Sequence, residues 1–467
     1  MSSFFVQTFI KRLTYDIITL ASIDAGGWGW YFWKGEKMNN FFKLKEHETN
    51  IRTELLAGLT SFFAAVYIIV VNASILSDGG VSMEPLIIAT VLASLIGCVL
   101  VALLSNAPLI IMPGMGINAL FTYTIVNTMG LTFQQALAAV IVAGILFIVV
   151  AVTPLADMLT SSIPSSLKEA ITVGIGIFIT FLGLQKAGLI VGDASTLVKL
   201  GDISSKEVIV FFITMILMLV LFIKNVPGSF LIGILSGTVI SMLFGIVNLS
   251  SFQLSLPNFS EYKQVFLSAN FSGIASISFW IATFSLTLVL VFENIGLLHG
   301  QIDGMLKQPS KRQRALNAVA FTTIICGICG TSPSVSTVEG SAGIAAGGKT
   351  GLTSIFTGFL FLISIFFIPV ISLIPNSAIA PVLIIIGGLM IQNIVSINFE
   401  DFTESFPAFL TLTIIPLTFS IVDGIAFGFI AYPICKLATK KYKDVSIPMY
   451  VISAIFLVYF VLHATQI

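Results

Sequence analysis

The stretch Gly327-Ile-Cys-Gly-Thr-Ser-Pro-Ser-Val-Ser-Thr-Val-Glu-Gly-Ser-Ala-Gly-Ile-Ala-Ala-Gly-Gly-Lys-Thr-Gly351 is small, glycine-rich and polar, yet apolar runs long enough to cross a bilayer flank it. At its centre is one carboxylate, Glu339. A carboxylate at membrane depth is costly, so its presence points to use. Pro333 suits the first position of a helix, with Ser332 or Thr331 as the cap, because proline has no N–H to lose there. The spacing predicts a broken span: an irregular piece, then a half-helix whose positive end points into the protein. Irregular backbone is tolerated at that depth only where protein or a cavity surrounds it, and such half-helices build midplane sites in transporters.

Hydrophobic residues make up 57% of the 467-residue chain and charged ones 9%, with a mean hydropathy of +1.05, whereas roughly a quarter of residues are charged in soluble domains. An all-α, polytopic membrane protein is expected. No charged side chain occurs between Glu84 and Asp157 or between Lys349 and Glu400, and each interval must hold several spans of about 20 residues. The formal net charge of zero argues against a nucleic-acid partner. Cys326 and Cys329 form a lone C-x-x-C, and with Cys98 and Cys435 they read as small hydrophobes instead of metal ligands. No metal or cofactor is expected. His47, His299 and His463 are widely separated, and no nucleophile–base motif accompanies them, which speaks against a membrane enzyme. A channel is disfavoured because pore rings usually need several subunits or repeated filter loops.

Residues 1–37 mix Lys11, Arg12 and Asp16 with Trp28, Trp30, Tyr31, Phe32 and Trp33, and read as an N-terminal extension outside the fold. An interfacial anchor using the tryptophans is the competing reading. Spans are expected near 55–77, 85–104, 109–128, 133–153, 167–188, 206–224 and 228–248, and then near 275–298, 315–330, 333–346, 352–371, 377–396, 403–420 and 421–438. Three basic clusters mark the cytoplasmic side. Lys34, Lys37, Lys43, Lys45 and Arg52 precede the first span, Lys307, Lys311, Arg312 and Arg314 follow the eighth, and Lys436, Lys440, Lys441 and Lys443 follow the fourteenth. All three fall on one side if each half has seven spans and the amino terminus is inside. Residues 447–463 are apolar but short, either a fifteenth crossing or a segment lying along the bilayer.

An odd number of spans per half requires the second half to be inverted relative to the first. Weak self-similarity supports the duplication. Ile163-Pro164-Ser165-Ser166 recurs as Ile374-Pro375-Asn376-Ser377, a register in which Gly176 meets Gly387. Likewise Pro113, opening the glycine break Pro113-Gly114-Met115-Gly116 of the third span, matches Pro333 in the tenth. Two breaks at equivalent places point to a binding site.

Glu293 is the other carboxylate inside a span, with no charge before it back to Lys263. Two such groups suit a proton-coupled carrier: one accepts N–H bonds from a polar planar solute, while the other gains and loses the coupling proton. A solvated position near the interface is the competing reading for Glu293. Gly340, Gly343 and Gly347 are expected to let helices pack closely and need bind nothing. His299 reads as a satisfied helix-end histidine. Asn72, Asn118, Asn294 and Asp423 are polar residues in or beside spans; Asn118 follows the third-span break, though helix-to-helix hydrogen bonding explains any of them.

Pro113 to Thr124, Gly330 to Thr353 and Asn50 to Thr60 resemble the nucleobase–cation symporters, in the adenine/guanine/hypoxanthine permease branch, and the resemblance runs from Met38 onward. It implies a fold like the bacterial uracil permease, a 7+7 inverted repeat of fourteen spans with the third and tenth broken. The implied parts are a cytoplasmic segment 38–54, core spans 55–153 and 275–371, gate spans 154–248 and 372–438, a linker 249–274 and a C-terminal segment 439–467. The resemblance assigns the base to Glu293 and Glu339, with Gly114, Met115, Gly116, Asn118, Ser336 and Thr337 completing the pocket. The expected function is uptake of hypoxanthine, guanine or adenine across the cytoplasmic membrane, driven by the proton gradient through Glu293 and Glu339. The alternative is a carrier of uracil, xanthine or an inorganic anion on the same fold. A homodimer stays open.

Overall fold

The computed structural model describes residues 41–247, 257 and 259–464. The extension 1–37 and residues 249–256 and 258 of the linker lie outside them. Two units divide at Ile51, residues 1–51 and 52–467. The described part of the first, 41–51, is mostly turns.

The larger unit begins with α1 (Ile51–Ala65), α2 (Tyr67–Ser77) and α3 (Met83–Ser105), followed by a three-residue strand β1 (Ile111–Pro113). The short helix α4 (Met115–Ala119) runs on as a π-helical stretch, Leu120–Thr128. Then come α5 (Phe133–Val152), α6 (Leu155–Ser162), α7 (Ser165–Lys186), the hairpin β2 (Ile190–Asp193) and β3 (Leu197–Leu200), α8 (Lys206–Ile223), α9 (Ser229–Leu243) and α10 (Phe259–Tyr262). The remainder is α11 (Ile277–Leu298) with a π-helical continuation His299–Leu306, α12 (Arg312–Cys329), β4 (Ser334–Ser336), α13 (Gly340–Ala345), α14 (Gly351–Ser364), α15 (Ile368–Ile371), α16 (Asn376–Ile391), α17 (Phe402–Thr418), α18 (Ile421–Ala438) and α19 (Ile447–Ala464).

Local chemistry sets several of these boundaries. Thr132 and Gln135 exchange side-chain and backbone bonds in a capping box that starts α5, and Ser205, Ser276 and Asp401 cap α8, α11 and α17. In the β2–β3 hairpin, Lys199 and the donors of Ser195 and Thr196 hold the Asp193 carboxyl well below its usual range.

Among the described residues, nine helices are long and apolar enough to cross a membrane. Helices also stand at other expected positions, but α9 and α17 are shorter and α12 opens on Arg312, Gln313 and Arg314. Exposure separates the nine: 67% of the best window in α3 is buried but 28% of that in α8, whose outward Phe212, Ile216 and Ile223 suit lipid. The C-terminal α19 packs on α18, with Ser453 donating to Phe429 O and Tyr459 donating to Asp423 at 3.2 Å.

The packing has an exchange pattern. α5 packs on α12 as α14 packs on α3, and α7 packs on α17 as α16 packs on α8. α8 on α9 is matched by α17 on α18, and α7 on α18 by α16 on α9. Each pair becomes its counterpart when every helix is swapped for the one at the equivalent expected place in the other half. The most extensive helix contact, α7 with α16, maps onto itself.

At that contact the two glycines aligned by sequence meet. A Cβ on Gly387 would lie 2.0 Å from Thr180 Oγ1 and 2.4 Å from the Gly176 carbonyl oxygen, and one on Gly176 would lie 2.9 Å from Gly387 O. No side chain fits there without separating the helices. Gly388 next door has nothing within 4 Å of its Cβ position. Gly387→Leu is expected to lower the thermal midpoint of the purified protein in detergent, by the roughly 1–3 kcal/mol or more of an overpacked interior, while Gly388→Leu leaves it near wild type; equal midpoints for the two variants would contradict this packing.

Candidate functional site

β1 and β4 pair antiparallel, with Ile111 opposite Ser336, Met112 opposite Val335 and Pro113 opposite Ser334. All six residues are buried. Gly114 N extends the ladder to Pro333 O at 3.4 Å and Thr337 N donates to Ile110 O at 3.1 Å. Backbone polar groups in a membrane interior need protein partners, and here each irregular segment supplies the other's. This corrects the expectation of a helix over 333–346. Pro333 does not open a helix, because its neighbours are drawn into the strand pair, and α13 starts only at Gly340. Ser332, expected as a cap, instead donates to Asn118 Oδ1 at 2.6 Å and Asn72 Oδ1 at 3.2 Å.

That bond belongs to a buried polar cluster behind the strands. Asn72 Nδ2 donates to Thr90 Oγ1 at 2.7 Å and Thr331 Oγ1 at 3.1 Å. Asn118 is fully buried and its side chain is engaged by Ser332 and by Met115 Sδ at 3.9 Å. On the other flank, Asn294 Oδ1 accepts from Ser336 N at 3.0 Å while its Nδ2 donates to Leu290 O. Gln301 clamps β4: its Oε1 accepts from Ser336 Oγ and its Nε2 donates to Thr337 O, both at 2.6 Å. The Thr337 hydroxyl is buried and interacts with the Glu339 carboxylate.

The two carboxylates lie towards opposite ends of the strand pair. Glu293 is half-buried, and its Oε1 lies 3.3 Å from the Cβ position of Gly114, where Val335 already approaches to 3.0 Å. Gly114 is thus the close approach that admits both groups. Glu339, also half-buried, is the residue before α13 and accepts a bond from the Tyr67 hydroxyl. Met115 is partly exposed, whereas Gly116 is buried with Ile175 at 2.9 Å from its Cβ position. Glu293, Gly114, Ser336 and Thr337 therefore gather at the strand pair, while Asn118 and Gly116 lie behind it. Gly343 packs on α1, where its Cβ would lie 2.0 Å from Ser61 Oγ, a packing contact as read from the sequence.

Several residues of the site carried no signal in the sequence. Tyr67 and Gln301 are ordinary members of their segments, and a tyrosine in an apolar run says nothing of a partner 272 residues away. Glu54, taken for part of a cytoplasmic segment, is fully buried and accepts from Lys349 N at 3.0 Å, Thr350 N at 3.2 Å and Thr353 Oγ1 at 2.6 Å. It places a negative charge at the start of α14. His299 is exposed and sits 2.7 Å from Asp303, which Arg312 also contacts. Among the described residues no group of three His, Cys, Asp or Glu side chains could hold a metal ion.

Residues 52–427 match the model of a family described as a permease family. The chain belongs to this permease family. It is a permease and not an enzyme. Among similar proteins, the nucleobase transporter PlAzg2 of Paenibacillus larvae subsp. larvae is 49% identical over 382 residues, 82% of this permease and 76% of the relative. The guanine/hypoxanthine permease PbuO of Bacillus subtilis is 39% identical over 426 residues, 89% and 98% of the two chains. The transmembrane domain of the cyanobacterial bicarbonate transporter BicA superposes with a TM-score of 0.59 at 17% identity, covering 83% of the permease and 97% of that chain. This last likeness is one of fold.

The clamp makes a prediction. Gln301→Leu leaves the Ser336 hydroxyl of the permease unpaired, at roughly 1–3 kcal/mol, and leaves the Thr337 carbonyl with the Gly340 N–H alone. A lower thermal midpoint in detergent is expected, and a midpoint equal to wild type would show that β4 does not depend on this side chain.

Proposed function

We propose that the permease takes up purine nucleobases, hypoxanthine, guanine or adenine, across the cell membrane in symport with protons. The observation that carries this reading is the placement of Glu293 and Glu339 at the two ends of a buried strand pair. A purine edge presents N–H donors that a carboxylate accepts, and charge-assisted bonds of this kind are the strong ones. An inorganic anion would be served by Arg or Lys at this place, and the strand pair is flanked by carboxylates. The names of the relatives, a nucleobase transporter and a guanine/hypoxanthine permease, support the solute class.

The reading extends to architecture and coupling. Fourteen spans form two inverted halves, the third and tenth are broken at β1 and β4, and the amino terminus is cytoplasmic. Core spans 55–153 and 275–371 carry the site against gate spans 154–248 and 372–438. The exchange pattern of the helix contacts and the Gly176–Gly387 contact support this arrangement. Solute and proton neutralise the two acids in turn, so that neither crosses the membrane interior as an unpaired charge.

Glu339→Gln, inserted at wild-type level, is expected to reduce accumulation of labelled hypoxanthine, guanine or adenine by about ten- to hundredfold, the loss of one charge-assisted bond. Uptake equal to wild type would remove Glu339 from the mechanism. Dissipating the proton gradient is expected to stop accumulation while leaving exchange of preloaded base partly intact; accumulation that persists without the gradient would rule out proton coupling.

A further inference from the structure

Glu339 does not face the strand pair alone. It lines a cavity of about 230 Å³ whose other walls include Phe222 at the end of α8, Asn225 and Val226 in the connecting loop, and Ser229 and Phe230 at the start of α9. Sites for drug-sized ligands run from about 300 to 1,000 Å³, so this volume suits a small solute. The walls divide by chemistry. Phe222 stacks on Phe230 with ring centroids 5.5 Å apart and planes at 29°, and Phe230 packs at 4.8 Å on Tyr67, the residue that donates to Glu339. An aromatic column thus runs from the carboxylate's own partner to the end of α8.

The polar wall comes from the loop. Asn225 adopts the left-handed conformation, φ 51°, and Gly228 follows at φ 71°, so the connection between α8 and α9 turns tightly. Gly228 sits against Phe63, its Cβ position 3.4 Å from the Phe63 carbonyl oxygen. The Asn225 side chain is exposed and has no hydrogen-bond partner among the described residues. An amide carries a donor pair and an acceptor on one planar group, the complement of a nucleobase edge, which asparagine can meet with two bonds at once. Flat rings stack on aromatic faces without regard to their substituents, whereas an edge contact discriminates between them.

We infer that the α8–α9 connection is the second recognition surface of the solute site: Phe222, at the open end of the aromatic column, takes the face of the base and Asn225 reads the edge that Glu339 leaves free. This inference rests on the purine reading proposed above. It makes Asn225 the residue that sets which base is preferred, and it places that choice on a loop remote in sequence from both glycine-rich motifs.

The test is whole-cell uptake of labelled hypoxanthine in a host lacking its own purine permeases, with surface level measured for each variant. Asn225→Ala is expected to raise KM roughly three- to tenfold, the loss of one hydrogen bond, with little change in maximal rate, and to change the order in which unlabelled adenine, guanine and hypoxanthine compete. If Asn225→Ala keeps both KM and competition order while Glu339→Gln is inactive, this inference is wrong and the carboxylate reading stands. A wild-type chain that carries no purine overturns both. As a check independent of transport rate, Asn225→Cys in a Cys435→Ser background is expected to react more slowly with N-ethylmaleimide when hypoxanthine is present, the other three cysteines being buried; labelling indifferent to every purine base also rejects the inference.

Discussion

Backbone polar groups in a bilayer interior must find partners within the protein, and the rest of this structure follows from how two irregular segments meet that demand. β1 and β4 are three residues each, too short to stand alone, yet paired antiparallel they satisfy one another. Because they are strands, each segment satisfies the other's backbone groups, which two helices would each have satisfied internally. The surrounding polar residues are consequences of that choice. Asn72, Asn118, Ser332, Asn294 and Gln301 brace the two strands from opposite flanks. The strand pair is therefore a braced frame, with Glu293 beside Gly114 at one end and Glu339 past Thr337 at the other.

Charges elsewhere in the interior are also tied to structure. Lys186 at the end of α7 reaches Asp78 at 2.7 Å, and Tyr123 donates to the same carboxylate at 2.5 Å, so the ends of three separate segments meet in one cluster. Lys436 and Lys311, which the sequence reading counted among cytoplasmic charges, are almost fully buried. Lys436 pairs with Glu404 at 2.6 Å, and Lys311 donates to the carbonyls of Asn106 and Lys349. Burial pushes the Lys311 ammonium down to about 8. Removing one partner of a buried pair is far more damaging than never having built it. Against this background Glu293 and Glu339 stand out, since neither has a cationic side chain within ion-pair distance among the described residues.

The exchange pattern of the helix contacts gives the molecule two kinds of surface. α3, α5, α12 and α14 pack on one another, as do α7, α8, α9, α16, α17 and α18. The cavity beside Glu339 is walled by Ala64 of α1, by Glu339 and by the ends of α8 and α9 with their connection.

The sequence by itself determined the membrane class, and it singled out two glycine-rich stretches and two acids that the structure places about one strand pair. Those features depend on composition and local backbone preference, which a single chain displays directly. It also aligned Gly176 with Gly387, and their contact is the folded counterpart of that alignment. Only the tertiary structure decided that Pro333 leads into a strand instead of a helix, because the competing hydrogen-bond partner, Gly114, is more than two hundred residues away. The same holds for Tyr67 on Glu339, Gln301 on β4 and Glu54 at the start of α14. Each is an ordinary residue in its own segment, and what it does is set by the groups that folding brings against it.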